Sequence, residues 1–228
     1  MKLVSVNVGN EEPIEKARKS GKTGIFKQPV AAEVPVTFGG VEGDSVCDTR
    51  HHGGRDQAVY AFAAPDYQWW SRELGCDLEP GTFGENLTIS GLESSELGIG
   101  DRLDVGPVVL EVTAPRIPCG TLAARMEDPL FVKRFRWAER PGVYCRVLTE
   151  GTVRAGDPVK VRRYAGETVS VLEIFRDFFE PELREESLRR QLAAPIAVRA
   201  RVEKDKQLGD LLQREIKVRE QANSVEKV

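Results

Sequence analysis

Two hexapeptides share the order glycine, aspartate, any residue, apolar, any residue, valine: GDRLDV at 100–105 and GDPVKV at 156–161, with VEGDSV at 41–46 echoing their first part. Each reads as a tight turn running straight into a short alternating strand, because glycine supplies the positive φ such a turn needs and aspartate bonds back to nearby amides. Short strands opened by such turns close into meanders and barrels, whereas a parallel α/β sheet needs a long crossover after each strand. The recurrence therefore predicts a mainly β fold with added α, barrel-like in its β part.

The remaining elements fit around these units. Val4, Val6 and Val8 alternate with Ser5 and Asn7, the period of a half-buried first strand. Val30, Ala32, Val34, Val36 and Phe38 share one face of a second strand, in which Pro35 predicts an edge or a bulge. Residues 58–62 read as another strand. PDYQWWSREL follows as a helix opened by Pro65 and capped by Gly75, with Trp69 and Trp70 as core or interface aromatics. A short strand at 86–89 leaves the glycine turn of TFGENL, GTLAARMEDPLFVKRF is helical with a break at Pro129, and GVYCRVLTEG is a strand and turn. Beyond Tyr164 come VSVLEIFRDFF, PELREESLRRQLAAP and PIAVRARVEKDKQL, three helical patterns bounded by proline or glycine. The chain thus divides into a β-barrel-like domain at 1–164, a small three-helix C-terminal segment at 165–212, and a polar tail at 213–228 read as frayed helix or disorder.

With 33 basic and 36 acidic residues among 228, the net charge of −3 provides no bulk attraction for a nucleic acid polymer or an anionic membrane. No apolar run reaches the length of a membrane span, and MKLVSVNVGN lacks the apolar core of a signal peptide, so a cytoplasmic protein is expected. Cys47, Cys76, Cys119 and Cys145 are scattered, which argues against a disulfide framework, a structural zinc or an iron–sulfur cluster. The two histidines, His51 and His52, are neighbours and on a strand would face opposite ways, which argues against their chelating one metal together.

The stretch VTAPRIPCGTLA at 112–123 carries the chemistry. Pro115 and Pro118 stiffen it, and it delivers Cys119 just before a helical pattern, with Arg116 three residues upstream. A helix N-terminus and a guanidinium both favour thiolate over thiol. Spacing alone still favours an inert buried thiol, the common fate of free cysteines. In HHGGRDQ, Gly53 and Gly54 permit a left-handed backbone that would let amides and Arg55 approach an anion, although a plain hairpin turn reads as well. Lys22, Lys27, Arg55, Arg116, Arg136 and Arg146 are the candidate anion partners; with a rigidly held Cys119 they suggest a phosphate-bearing cofactor whose metal takes a soft thiolate ligand.

EGD at 42–44, HGG-x-D at 52–56, FGENL at 83–87, GD at 100–101, PR-x-PC at 115–119 and G-x-Y-x-RVL-x-EG at 142–151 occur in that order. Together they resemble the MOSC domain, named for the molybdenum cofactor sulfurase C-terminus, and most closely its YiiM group, in which a MOSC domain precedes a three-helix segment. The resemblance covers about residues 1–206. It implies a β-barrel-like domain binding a molybdopterin-type molybdenum cofactor, with Cys119 as the metal ligand and Arg116 beside it in the catalytic centre. Lys22, Lys27, His52, Gly53, Gly54, Arg55, Asp56, Asn86, Arg136 and Arg146 are then the expected cofactor-binding residues. Relatives such as the mitochondrial amidoxime-reducing component reduce N-hydroxylated compounds, and the YiiM group is associated with N-hydroxylated purine bases such as 6-hydroxylaminopurine. The implied reaction is a two-electron, two-proton reduction of N–OH to the amine. The alternatives are a cofactor carrier or sulfur-delivery module without turnover, and an interaction protein acting through its C-terminal helices. With no cysteine cluster for iron and sulfur, the expected partners are the small-molecule substrate and a separate electron-donor protein, and edge strands with a helical appendage are compatible with a homodimer. Two positions depart from the family pattern: Cys145 stands where a larger residue is common and offers a second thiol, and His51 lies outside the HGG motif.

Overall fold

The computed structural model describes residues 1–15 and 21–225, with side chains described through Val218. Its strands are β1 (Leu3–Val8), β2 (Glu12–Pro13), β3 (Lys22–Thr23), β4 (Gln28–Pro29), β5 (Val34–Thr37), β6 (Gly40–Val41), β7 (Val59–Ala63), β8 (Leu87–Ile89), β9 (Arg102–Val105), β10 (Val108–Pro115), β11 (Val143–Thr149), β12 (Gly151–Val153) and β13 (Val159–Arg162). The helices are α1 (Ala64–Leu74), α2 (Gly120–Arg125), α3 (Phe131–Ala138), α4 (Val171–Phe179), α5 (Glu185–Ala193) and α6 (Val198–Val225).

The main sheet has eight strands in the order β13-β9-β10-β11-β7-β8-β1-β4. Its neighbours are antiparallel except for β7 and β8, which run parallel because α1 carries the chain across between them. The two Gly-Asp units become neighbours: Val105 pairs with Val159 and Leu103 with Val161, with Gly100 and Gly156 at φ 91° and 96° starting the two strands. The sheet coils so that its β13 edge reaches back to the start of β1. Leu3 N donates to Asp157 O at 2.9 Å and Val159 N to Met1 O at 3.0 Å, so the turn before β13 seals against the start of β1 without a continuous ladder. The architecture is mixed α and β, with a barrel-like main sheet, β12-β5-β6 as a second small sheet, and β2-β3 as a two-stranded pair.

The core has two layers that β7 separates by its alternation. Val59, Ala61 and Ala63 face an aliphatic interior with Leu3, Val6, Leu87, Ile89, Leu103, Leu110, Val112 and Val143. Tyr60 and Phe62 point the other way, into an aromatic cluster with Tyr67, Trp70, Phe83, Phe131 and Phe135 under α1 and α3. This two-sided burial explains why VYAFA carries no polar residue. The segment after Tyr164 is tied into both layers: Val169, Val171, Ala194 and Ile196 join the aliphatic core, and Phe175 joins the aromatic one. Lys204 of α6 forms a buried ion pair with Asp177 of α4. Helix α6 runs on to Val225, so residues 213–225 are helical; residues 226–228 of the expected tail lie outside the described residues.

Two expectations about strands are corrected. Val4 of β1 is exposed while Ser5 and Asn7 are buried, because a register shift between Leu3 and Ser5 changes the phase of the strand. Ser5 and Asn7 then meet polar partners: Ser5 Oγ donates to Asn7 Oδ1 at 2.6 Å, and Asn7 Nδ2 donates to Thr88 Oγ1 at 3.2 Å. Pro35 sits in the central strand of its small sheet, opposite Thr152, with its carbonyl accepting from Glu42 N at 2.9 Å. Strands this short tolerate one missing donor. Of the face expected for that strand, Val34 and Val36 are buried, whereas Phe38 is exposed.

Among the described residues no helix is long and apolar enough to cross a membrane.

Candidate functional site

Strand β10 ends at Pro115 and passes into Arg116, Ile117 and Pro118, which present Cys119 as the N-cap of α2. Burial alone would push the Cys119 thiol up. A hydrogen bond from His52, the charge of Arg116 and the Leu122 backbone N–H outweigh it and bring the thiol down to about 6. At pH 7 the thiolate then exceeds the thiol about tenfold.

Arg116 is only 4% exposed. Its Nη1 donates to Phe83 O at 2.6 Å, and its guanidinium lies 5.0 Å from the centre of the Tyr60 ring. Burial disfavours its charge, but Tyr144, Tyr60, Cys119 and Glu85 together hold it above the ordinary arginine value, so it is cationic at every working pH. Its Nε is buried with no hydrogen-bond partner.

A second group sits across the cavity. Lys27 and Asp44 form an ion pair in which both side chains are buried. Burial lowers the Lys27 pKa in spite of Asp44. The Asp44 carboxylate also accepts from Gly9 N and from Asn86 Nδ2, each at 2.9 Å. Asn86 closes the circuit, its Oδ1 accepting from Tyr60 N at 3.0 Å. Three stretches of backbone meet here at very short range: a Cβ on Gly9 would lie 2.2 Å from Gly24 O, and one on Gly24 would lie 1.9 Å from Ser45 O. Glycine at both positions lets the loops close over the ion pair.

The cavity thus brings together Cys119, Arg116, Lys22, Lys27, His52, Gly53 and Asn86. Lys22 stands at its rim, 2.6 Å from Glu11. Gly54, Arg55, Asp56, Arg136 and Arg146 do not line it, and the reason is long-range pairing that local pattern does not reveal. Arg146 Nη2 donates to Pro195 O at 3.1 Å and pairs with Asp56 at 3.1 Å, while the other Asp56 oxygen accepts from Val198 N at 2.6 Å. Gly54 lies beside Arg199 of the same helix start, and Arg55 lies over the exposed Phe38 ring. Arg136 is engaged by Glu180 and by the Phe179 ring at 4.7 Å. Most of this second set therefore clamps the C-terminal helices onto the β domain.

The MOSC domain model matches residues 48–160. YflK of Bacillus subtilis, an uncharacterized protein, is 34% identical over 169 residues, 74% of this chain and 76% of that one. The chain belongs to the MOSC family. A crystal structure of YiiM from Geobacillus stearothermophilus matches this MOSC protein with a TM-score of 0.74 at 27% identity, over 91% of this chain and 98% of the other. A protein of Gibberella moniliformis named as a reductase is 31% identical over 180 residues, which are 76% of this chain but 31% of that longer protein.

Several lining residues of this MOSC cavity were not among the expected ones: Asp44, Cys47, Gln57, Tyr60, Thr121 and Tyr144. Asp44 was visible only as the last residue of EGD, next to a glycine turn. Tyr60 and Tyr144 face each other across β7 and β11, with ring centres 5.0 Å apart, and in sequence they look like ordinary strand aromatics. The second thiol of the cavity is Cys47, which burial raises. Cys145 is fully buried in the aliphatic layer, where burial holds its thiol well above the ordinary value.

Proposed function

We propose that this MOSC protein binds a molybdopterin-type molybdenum cofactor through Cys119 and reduces N-hydroxylated purine bases, such as 6-hydroxylaminopurine, to the corresponding amines. The observation that carries the reading is a cysteine with its thiol at about 6, held at the mouth of α2 beside a buried arginine. The residues present suit the group. A metal ligand must be deprotonated, and Cys119 is a thiolate at neutral pH without any metal. An anionic pterin side chain needs local cations, and Arg116 lines the cavity together with Lys27 and Lys22, which are paired with Asp44 and Glu11. The Arg116 Nε, buried and unpartnered, is a donor left over for a ligand.

When bound, the molybdenum centre supplies two-electron redox chemistry. The chain's own residues do the rest. Cys119 would hold the metal, and His52 and Arg116 would keep that thiolate charged. Asn86 and Asp44 hold Lys27 at the cavity wall as a cation whose proton burial has loosened. The name of the Gibberella relative supports a reductive reaction.

The test is to load the protein with cofactor, supply a chemical reductant, and follow conversion of 6-hydroxylaminopurine to adenine alongside molybdenum content. Wild type should hold close to one molybdenum per chain and turn over, and Cys119→Ser should lose both. Activity that survives the substitution refutes the ligand assignment. Full cofactor occupancy with no turnover on any N-hydroxylated base refutes the reductase reading and leaves a carrier.

A further inference from the structure

We infer that Tyr144 is a catalytic residue of the proposed reduction, its hydroxyl donating a hydrogen bond to the N–OH oxygen of the substrate, the atom that leaves as water. The inference rests on the reductase reading above. In that reaction R–NHOH takes two electrons from an external reductant, which is oxidised, and two protons from solvent. The N–O bond breaks, the nitrogen gains one proton as R–NH2, and the oxygen leaves with the other as water. Negative charge develops on that oxygen as the bond breaks, so a donor already aimed at it lowers the barrier.

Strand register puts Tyr144 in the cavity. Val143, Cys145 and Val147 of β11 belong to the aliphatic interior, so by alternation Tyr144 faces the other side. It pairs directly with Tyr60 of β7 and with Ala114 of β10. The register of β10 slips between Val112 and Ala114, which leaves Thr113 as an extra residue opposite β11. A bulge of this kind bends its strand, and β10 is the strand that leads into Arg116. Thr113 Oγ1 donates to Tyr144 O at 3.1 Å and so fixes the backbone at this point. The Tyr144 ring stands 5.0 Å from the Tyr60 ring, and the Arg116 guanidinium lies 5.0 Å from the same Tyr60 ring.

The neighbouring donors are already engaged. His52, Arg116 and Tyr144 all interact electrostatically with Cys119. Of these, His52 is bonded to the Cys119 sulfur, and Arg116 is held by the Phe83 carbonyl, leaving its Nε for the anionic cofactor. The facing Tyr60 hydroxyl donates to Pro141 O at 2.9 Å. Across the cavity Lys27 and Asn86 both spend their donors on Asp44. The Tyr144 hydroxyl has no hydrogen-bond partner among the described residues, although the side chain lines the cavity. Burial raises its pKa in spite of Arg116, so the phenol keeps its proton at neutral pH and is a donor there. A cavity-lining hydroxyl with its hydrogen bond still to make, in electrostatic contact with the proposed metal ligand, is placed to meet the reacting oxygen.

The experiment uses Tyr144→Phe, which removes the hydroxyl and keeps the ring against Tyr60. Since that hydroxyl bonds nothing in the fold, Tm and molybdenum content should match wild type. On the cofactor-loaded full chain without reductant, where nothing turns over, the dissociation constant of 6-hydroxylaminopurine should rise about fivefold for the loss of one neutral hydrogen bond. That of adenine, which lacks the hydroxyl, should stay within about twofold. With reduced methyl viologen as reductant, kcat should fall by at least about tenfold, because the bond strengthens as the oxygen takes up charge. An unchanged kcat in a wild type that turns over overturns this inference alone. Equal weakening of both ligands also overturns it, since it would make Tyr144 a packing residue of the base pocket. So does loss of molybdenum, which would assign the hydroxyl to the cofactor, and so does a lowered Tm, which would give it a partner within the fold. Wild type that holds molybdenum and turns over no N-hydroxylated base refutes the reductase reading itself.

Discussion

Replacing Cys119 with serine in the cofactor-free protein should flatten the dependence of stability on pH. The Cys119 thiol lies at about 6 in the folded chain against an ordinary 9.0, and three pH units correspond to about 4 kcal/mol of preferential interaction with the thiolate. Because the folded value is the lower one, that stabilisation is fully present above the unfolded value and is lost as pH falls through about 6. Integrated over the window, wild type loses about 3 kcal/mol between pH 9 and pH 6 from this group alone. Serine does not ionise there, so the variant loses nothing at this position. Urea unfolding of both proteins across the window is the assay. The gap between their unfolding free energies should widen by about 3 kcal/mol from pH 6 to pH 9, equivalent to roughly 6–12 °C in Tm for a chain of this size. Contributions from titrating groups that do not interact with Cys119 cancel in the difference. Curves that stay parallel would show that His52, Arg116 and the α2 amides do not hold a thiolate, and the argument for Cys119 as a ready metal ligand would fall with them.

Three other perturbations probe the frame around the cavity. Asp44→Asn leaves the Lys27 ammonium buried beside a neutral amide and should cost about 3–5 kcal/mol in urea unfolding at pH 7, with Lys27→Met in the same background restoring much of it; no loss would mean the pair is not buried in solution. Gly24→Ala places a methyl 1.9 Å from the Ser45 carbonyl, so soluble yield or Tm should drop sharply, and a protein of wild-type Tm would contradict the packing of these loops. Asp56→Ala removes the acceptor of both Arg146 and the Val198 N–H; limited proteolysis should then cut near the start of α6 faster than in wild type, and an unchanged pattern would show that the clamp is not what holds the helix.

What was readable in the chain alone is what local chemistry controls. The Gly-Asp units predicted turns and strands because a positive φ at Gly100 and Gly156 is a property of those residues, and both turns formed where the motif places them. Pro65 and Gly75 bound α1 for the same kind of reason, and the prolines around Arg116 left Cys119 at the N-cap of α2. The phase of β1 was not readable. Leu3 and Val6 share the aliphatic interior because a bulge opposite β8 shifts the register between Leu3 and Ser5, and Ser5 and Asn7 are buried where Thr88 and Glu85 offer Asn7 polar partners.

The cations show the same division more sharply. Lys27 and Arg146 are equally basic and equally near a recognisable motif in sequence, yet one faces the cavity and the other clamps a helix. The difference lies in which carboxylate and which carbonyls the fold brings to each: Asp44 and the loop glycines for Lys27, and Asp56 with the Pro195 and Ile196 carbonyls for Arg146. Sequence alone determined the turns, the helix caps and the thiol held out on a stiff loop, because backbone preference acts over a few residues. Only the tertiary structure decided which cations face the cavity and which clamp the C-terminal helices, because burial and ion pairing join residues that lie far apart in the chain.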